Sequence, residues 1–289
     1  MIPGSLKNYL NEKGFTLKNA WNAAGGSINR AAQVEVADKG HCFLKWNATA
    51  PFDMFRQEVK GLNLLNKADS GLRVPSVIDY DIDPNSDTGY LLLEYLPEGR
   101  PGHGSHQTFG RQLAKLHQNT NDQYGLDHDN YIGRLPQSNS FHDEWIPFFI
   151  DERLEPQYSQ ARDSGYFGGS VTSDYQQLCN KLDELLPEEP ASLLHGDLWG
   201  GNYFFTTDAE PAIYDPAVYY GNREIELAFT HLFGGFSPEF YRAYEEAWPL
   251  QPGFKERIDL YNLYPLLVHT NLFGGGYARQ VESIIRQYA

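Results

Sequence analysis

One stretch of the chain carries the residue types that phosphoryl transfer needs, at spacings that suit it. It reads Leu193-Leu194-His195-Gly196-Asp197-Leu198-Trp199-Gly200-Gly201-Asn202, followed after an apolar run by Ile213-Tyr214-Asp215-Pro216. The pattern is His-x-Asp, an Asn five residues after that Asp, and a second Asp 18 residues after the first. A loop carboxylate can accept a hydroxyl proton, while an amide oxygen and another carboxylate hold Mg²⁺ against phosphates. Asp197 is therefore the candidate base, and Asn202 and Asp215 are the candidate metal ligands. A His-x-Asp pair alone would read as a solvated turn with Asx caps; the full set between two short strands weakens that reading. A metal-dependent hydrolase built on His195 and Asp197 lacks the further ligands of a three-ligand site.

Phosphates also need donors from elsewhere in the chain. Ala24-Gly25-Gly26-Ser27-Ile28-Asn29 joins two expected strands, and paired glycines let backbone N–H groups approach phosphate oxygens closely. Gly25, Gly26, Ser27 and Ile28 are the candidate phosphate loop, although Gly-Gly-Ser is also an ordinary hairpin loop. Lys45 stands in Phe43-Leu44-Lys45-Trp46, where an ammonium among apolar residues needs a partner. Glu58, three residues after Phe55 and four before Leu62, falls on the apolar face of an expected helix and supplies one. A Lys45–Glu58 pair aimed at the α- and β-phosphates satisfies both groups. A snorkelling lysine and an exposed glutamate are the alternative. In a kinase-like cleft Leu93-Glu94-Tyr95-Leu96 would, by its position, offer the main chain of Glu94 and Leu96 to an adenine edge; an edge strand accounts for the segment equally. Trp199 reads either as a flat wall against the acceptor sugar or as a packing residue that stiffens the loop.

The elements that must position these residues divide the chain by texture. Segments 15–24, 31–38 and 41–47 read as strands, the last two joined by the turn signal Asp38-Lys39-Gly40. Phe52, Phe55, Val59, Leu62 and Leu65 fall at helical spacing in 52–68, and 76–83 and 89–96 read as two further strands. The Pro/Gly-rich segment 97–102 is the candidate linker. Helices are expected at 106–119, 143–154, 173–186, 223–233, 238–247, 254–273 and 277–288, interrupted only by the candidate catalytic segment. This is an α+β architecture of two lobes: residues 1–96 as a small β-rich nucleotide-binding lobe, and residues 103–289 as a larger helical lobe with the catalytic loop. Trp145, Phe148 and Phe149 read as core, His117 as a structural hydrogen-bonding residue, and Cys42 and Cys179 as core thiols.

At this point the chain resembles the fructosamine kinase (ketosamine-3-kinase) family, within the aminoglycoside phosphotransferase and protein-kinase-like superfamily. The resemblance spans nearly the whole sequence. It rests on His195-Gly196-Asp197-Leu198-Trp199-Gly200-Gly201-Asn202, on Asp215-Pro216-Ala217-Val218-Tyr219-Tyr220-Gly221-Asn222-Arg223-Glu224 and on Leu232-Phe233-Gly234-Gly235-Phe236. Leu113-Ala114-Lys115-Leu116-His117, the Leu135-Pro136-Gln137 turn, Arg153-Leu154-Glu155-Pro156-Gln157 and Asn271-Leu272-Phe273-Gly274 add to it. Trp-Gly-Gly inside the loop sets the pattern apart from choline and aminoglycoside kinases. The resemblance implies a two-lobed protein-kinase-like fold and ATP- and Mg²⁺-dependent phosphorylation of a sugar hydroxyl on a protein- or amine-bound ketosamine. Another amino-sugar or aminoglycoside acceptor is the alternative within that class, and a catalytically inactive interaction module the alternative outside it. Asn222 and Glu226 stand where the family pattern has His and Asp, positions associated with substrate contact. Gly196 replaces the arginine that would bind a phosphorylated activation loop, and Pro216 replaces the phenylalanine whose packing switches protein kinases. The site is expected to be assembled constitutively.

Charge narrows the partners. Across 289 residues, 38 acidic against 23 basic side chains leave −15, a surface that repels nucleic acid and anionic membrane. No stretch approaches the ~18 uninterrupted apolar residues of a membrane span. Met-Ile-Pro-Gly-Ser-Leu-Lys-Asn lacks a basic n-region leading into an apolar one, so no signal peptide is expected. Two cysteines in no ligand spacing exclude a disulfide framework or zinc ribbon. The expectation is a reduced, cytoplasmic, acidic enzyme.

Overall fold

The computed structural model describes residues 1–22, 29–51 and 53–289. The candidate phosphate loop at Gly25, Gly26, Ser27 and Ile28 lies outside the described residues. The first part of the chain runs α1 (Gly4–Glu12), β1 (Leu17–Asn22), β2 (Arg30–Val36), β3 (Gly40–Asn47), α2 (Met54–Lys67), β4 (Val77–Asp83) and β5 (Thr88–Glu94). Its strands form one antiparallel sheet in the order β1-β2-β3-β5-β4. The β2–β3 turn places Asp38 at φ 63° and Gly40 at φ 78°, the left-handed positions a tight hairpin needs. Side chains alternate across the sheet. Cys42, Leu44 and Trp46 of β3 share a core with Ala32, Val34 and Val36 of β2 and with Leu6 and Leu10 of α1. Phe43 and Lys45 therefore face the other way, toward α2. Helix α1 is an addition to the expected elements: Leu6 and Leu10 make one short apolar stripe that only the sheet completes.

The second face of the sheet joins the two parts of the molecule. Phe55, Val59, Leu62 and Leu65 of α2, with Leu91 and Leu93, belong to one core with Leu113, Leu193, Leu198, Phe205, Ile213 and Val218. Segment 97–102 is pinned rather than free. Gly99 N–H donates to Phe205 O at 2.7 Å and Thr207 N–H donates to Pro97 O at 3.0 Å.

The remainder runs α3 (Ser105–His117), β6 (Thr120–Asn121), β7 (Asn130–Ile132), β8 (Leu135–Gln137), α4 (Trp145–Phe148), a π-helical turn (Phe149–Leu154), α5 (Glu155–Asp163), α6 (Gly169–Cys179) and α7 (Leu182–Leu185). Then come β9 (Ala191–Leu194), β10 (Tyr203–Phe205), β11 (Pro211–Ile213), β12 (Tyr219–Gly221), α8 (Arg223–Leu232), α9 (Pro238–Ala247), α10 (Phe254–Phe273) and α11 (Gly276–Tyr288). The helix expected at 143–154 is thus wound as α and then π, where buried Arg153 stacks on Tyr219 at 3.9 Å. The segment expected as one helix at 173–186 divides into α6 and α7. Trp145, Phe148 and Phe149 lie in the main helical core, and Cys42 is buried whereas Cys179 is half-buried. Helix α10 is buried on most sides, and α8 packs along it. Helices α3 and α9 meet at Gly110, where a Cβ would lie 2.2 Å from Phe240 O. Four short strands frame the candidate catalytic segment instead of two. Strand β9 pairs with β12 and β6, while β10 pairs with β11.

Candidate active site

Strand β9 delivers the loop from His195 to Asn202, and β11 delivers Asp215. His195 is fully buried and ties the two together. Its Nε2–H donates to Tyr214 O at 2.9 Å, and its Nδ1 accepts from Asp197 N–H at 3.3 Å. The acceptor-only carbonyl requires the proton on Nε2. Burial holds the imidazole below its usual pKa, which keeps it neutral. His195 O in turn accepts from Ala217 N–H at 2.9 Å, and Asn202 O from Tyr214 N–H at 3.1 Å. Gly196 at φ 83° fits this crossing because a Cβ would lie 2.0 Å from Ala217 O.

Asn202 Nδ2 donates to both Asp197 O, at 2.8 Å, and Asp197 Oδ2, at 2.9 Å. The amide thereby orients the candidate base while its oxygen stays available as a ligand atom. Lys45 Nζ reaches Glu58 Oε1 and Asp215 Oδ1, each at 2.7 Å. Burial would pull the ammonium's pKa down, but the charges of Asp215 and Glu58 outweigh it and hold it up. Burial pushes Glu58 up against the attraction of Lys45, and Asp215 adds to the rise. Burial first and the Asp215 charge second push Asp197 above its ordinary value, a rise that a cation held by Asp215 and Asn202 would oppose. Glu58 and Asp215 thus share one ammonium while Asp197 feels the Asp215 charge, an imbalance that favours a further cation. Asp215 and Asn202 offer two oxygens, as suits Mg²⁺ when phosphates and water complete its shell. The residues present fit the ion.

At the end of β5, Glu94 N–H is taken by Ser76 O at 2.8 Å, and its carboxylate accepts from Ser76 N–H and Arg73. Leu96 is buried, and among the described residues no backbone hydrogen bond engages it. Trp199 is 39% exposed beside the loop. Its ring lies over Gly201 and meets Phe233 edge-on at 6.0 Å. Phe233 continues to His269 at 4.8 Å, and His269 to Tyr277 at 5.1 Å. A narrow, mostly apolar cavity beside Asp197 is lined by Leu194, Tyr219, Phe229, Val268 and His269. Phe233 and His269 were not among the sequence candidates, since only the fold of α8 against α10 brings them to the loop.

Glu226 and Asn222 are both engaged by the protein itself, and Glu226 also lines the cavity beside Asp197. Glu226 is 3% exposed on α8; its Oε1 accepts from Gly196 N–H at 2.7 Å and its Oε2 from His195 N–H at 3.3 Å. His117 Nε2 donates to the same Oε2 at 2.8 Å. Burial alone would raise the Glu226 pKa, but the bond and charge of His117 and the loop amide hold it below its usual value. Asn222 is fully buried and caps α8 by accepting from Glu224 N–H at 2.9 Å. Both residues hold the scaffold. The signal in the sequence was a carboxylate inside the apolar run Ile225-Glu226-Leu227-Ala228, which burial makes costly without donors.

Comparison with known proteins then decides the family. A family model described as fructosamine kinase matches residues 5–289. The chain belongs to the fructosamine kinase family. A protein of Lactiplantibacillus plantarum named probable ketoamine kinase is 39% identical over 267 residues, covering 92% of each chain. A chloroplastic protein-ribulosamine 3-kinase of Oryza sativa subsp. indica is 39% identical over 271 residues, covering 91% of this chain and 77% of its own. A crystal structure described as a candidate fructosamine-3-kinase from Thermobifida fusca superposes with a TM-score of 0.87 at 32% identity, covering 99% and 98% of the two chains. The α+β, two-lobed architecture expected from the sequence is this family's fold. No helix among the described residues is long and apolar enough to cross a membrane.

Proposed function

We propose that this fructosamine kinase family member transfers the γ-phosphoryl group of ATP to a sugar hydroxyl of a ketosamine, with Asp197 as the base. The observation that supports the reading is that Lys45 bonds Asp215 and Asn202 bonds Asp197, with Tyr214 N–H donating to Asn202 O between the two pairs. Residues 1–96 act as the nucleotide-binding lobe. Lys45, held by Glu58, pairs with the α- and β-phosphates, and the main chain at Glu94 and Leu96 receives the adenine. Asn202 and Asp215 hold Mg²⁺, which when bound neutralises phosphate charge during transfer. The Asp197 carboxylate, oriented by Asn202, takes the acceptor's hydroxyl proton. Trp199, with Phe233 and His269 behind it, forms a flat wall that stacks on the C–H face of the sugar and aligns the hydroxyl with the phosphate. The acidic surface suits amine-bearing or lysine-borne acceptors, and two unpaired cysteines suit a cytoplasmic setting.

An ADP-release screen tests the reading. Ketosamines and ribulosamines are expected to support turnover, and choline and aminoglycosides are expected not to. Turnover on an aminoglycoside alone would move the protein to the other acceptor class, and none on any hydroxyl acceptor would favour an inactive module.

A further inference from the structure

The β7–β8 hairpin sits between two elements that the proposed site needs in register. Successive residues of β7 point to opposite sides. On one side Tyr131 Oη donates to Asp53 Oδ1 at 2.6 Å, at the N-cap of α2, the helix that carries Glu58. Gln57 Nε2 donates to the other oxygen of Asp53 at 3.0 Å, joining the contact to the first turn of α2. On the other side Asn130 Nδ2 donates to Val218 O at 2.8 Å, and Gln137 Nε2 donates to Ala217 O at 3.1 Å. These two carbonyls follow Asp215 by two and three residues.

The amide pair is itself held. Asn130 and Gln137 are opposite each other in the hairpin, and Gln137 Nε2 donates to Asn130 Oδ1 at 2.7 Å. Tyr264 Oη donates to Gln137 Oε1 at 2.6 Å, and Asn139 Nδ2 to Asn130 Oδ1 at 3.1 Å. Both amides are at least 95% buried, so each unmade bond would be costly. The segment they grip has reason to move without them: Asp215 has φ 57°, a left-handed conformation that a non-glycine residue adopts only when its surroundings impose it. Helix α2 packs against the same segment, with Gly61 placed so that a Cβ would lie 3.2 Å from Val218 and 3.3 Å from Pro216.

We propose that the β7–β8 hairpin fixes helix α2 and the Asp215 segment in one arrangement, with Tyr131, Asn130 and Gln137 as positioning residues for the nucleotide–metal site. The inference rests on the reading of Asp215 as a Mg²⁺ ligand and Glu58 as the partner of Lys45. It gives a physical basis for constitutive assembly: the two elements whose separation would dismantle the site are bound to one rigid turn.

The test is calorimetry of ADP binding with and without Mg²⁺, on wild type and on Tyr131→Phe, Asn130→Asp and Asp215→Ala. Tyr131 is only partly buried, so Tyr131→Phe folds and loses a single bond. Asn130→Asp keeps the oxygen that accepts from Gln137 and Asn139 and sets a second carboxyl oxygen in place of the donor to Val218 O. Each is expected to reduce the Mg²⁺-dependent gain in ADP affinity by about three- to tenfold, the scale of one hydrogen bond. The KM for the ketosamine should stay within about twofold in both, and metal-free ADP affinity should hold in Asn130→Asp, which acts on the Asp215 segment, and fall no further than the Mg²⁺-dependent gain in Tyr131→Phe, which loosens the helix carrying the partner of Lys45. Asp53→Asn, which retains an oxygen for Tyr131, should keep the wild-type gain, and Asp53→Ala, which frees Gln57 as well, should lose at least as much as Tyr131→Phe. An unchanged gain in both hairpin variants overturns the inference, as does an equal loss of metal-free ADP affinity and ketosamine KM, which would mean general loosening. If Asp215→Ala abolishes the gain while the hairpin variants do not move it, only the hairpin inference falls. If Asp215→Ala keeps the gain, the metal reading falls and the inference with it.

Discussion

Replacing Glu226 by Gln is an isosteric change with a calculable cost. The wild-type carboxylate accepts three N–H groups, from Gly196, His195 and His117. A glutamine offers one oxygen and one NH₂. If the oxygen stays on Gly196, the NH₂ faces His117 and His195. His117 can answer by moving its proton to Nδ1, where Tyr244 Oη accepts, but the His195 backbone N–H cannot reverse. Bonds to a charged acceptor exceed neutral ones by about 1 kcal/mol each, and one orphaned N–H costs about 1–3 kcal/mol. Relief from burying a charge offsets part of this, leaving a loss of about 2–3 kcal/mol and a fall in Tm of about 4–8 °C. Because the released amides belong to the loop that aims Asp197, kcat should fall by about 10- to 100-fold while the KM for ATP changes little. The pH dependence has a definite sign. Glu226 is held below its usual pKa, so its contribution is complete above the ordinary glutamate range and is lost as pH falls through the lower folded value. The stability gap between wild type and Glu226→Gln is therefore full at neutral pH and closes below about pH 4. Differential scanning calorimetry across pH and steady-state kinetics read both effects. A variant with wild-type Tm and wild-type kcat would refute the anchoring of the loop by Glu226.

Asp215→Ala removes a proposed metal ligand and a partner of Lys45, so both the Mg²⁺-dependent affinity for nucleotide and turnover should collapse; MgATP affinity at the wild-type level would exclude Asp215 as a ligand. Trp199→Ala should raise the KM for the ketosamine by roughly tenfold, the scale of one lost aromatic contact, with the KM for ATP and Tm nearly constant. A fall of several degrees with both KM values shifted would instead make Trp199 a packing residue.

Local chemistry was legible in the sequence, and long-range partnership was not. Lys45 and Glu58 are 13 residues apart, yet each stands in an apolar surrounding that makes an unpaired charge costly, so their pairing could be inferred without knowing the fold. The loop from His195 to Asn202 and Asp215 could be read because the spacing itself states the chemistry. Glu226 gave only half of its meaning. Its buried position was readable from its neighbours, but its donors lie 30 and 31 residues away in the loop and 109 away in His117. The same distance effect hides the hairpin, since Asn130 and Gln137 are only polar residues until the carbonyls of Ala217 and Val218 are laid beside them. Helix α1 escaped because two leucines are too few to establish a period, and the π-helical turn because Arg153 reads as a surface residue until Tyr219 covers it. The four short strands around the catalytic segment are set by pairing with β6 and with each other, which no local run of residues reveals.

The central claim is that this chain phosphorylates a ketosamine with Asp197 as the base. The most direct measurement follows ADP release and phosphorylated sugar product, with a fructosamine as acceptor, for wild type and Asp197→Asn at matched MgATP occupancy. The account predicts stoichiometric ADP and phosphorylated product from wild type, and a loss of turnover on the order of 10²–10⁴ in the variant with MgATP affinity nearly intact. Turnover by Asp197→Asn within a few-fold of wild type, or ADP release with no phosphorylated sugar, would contradict it.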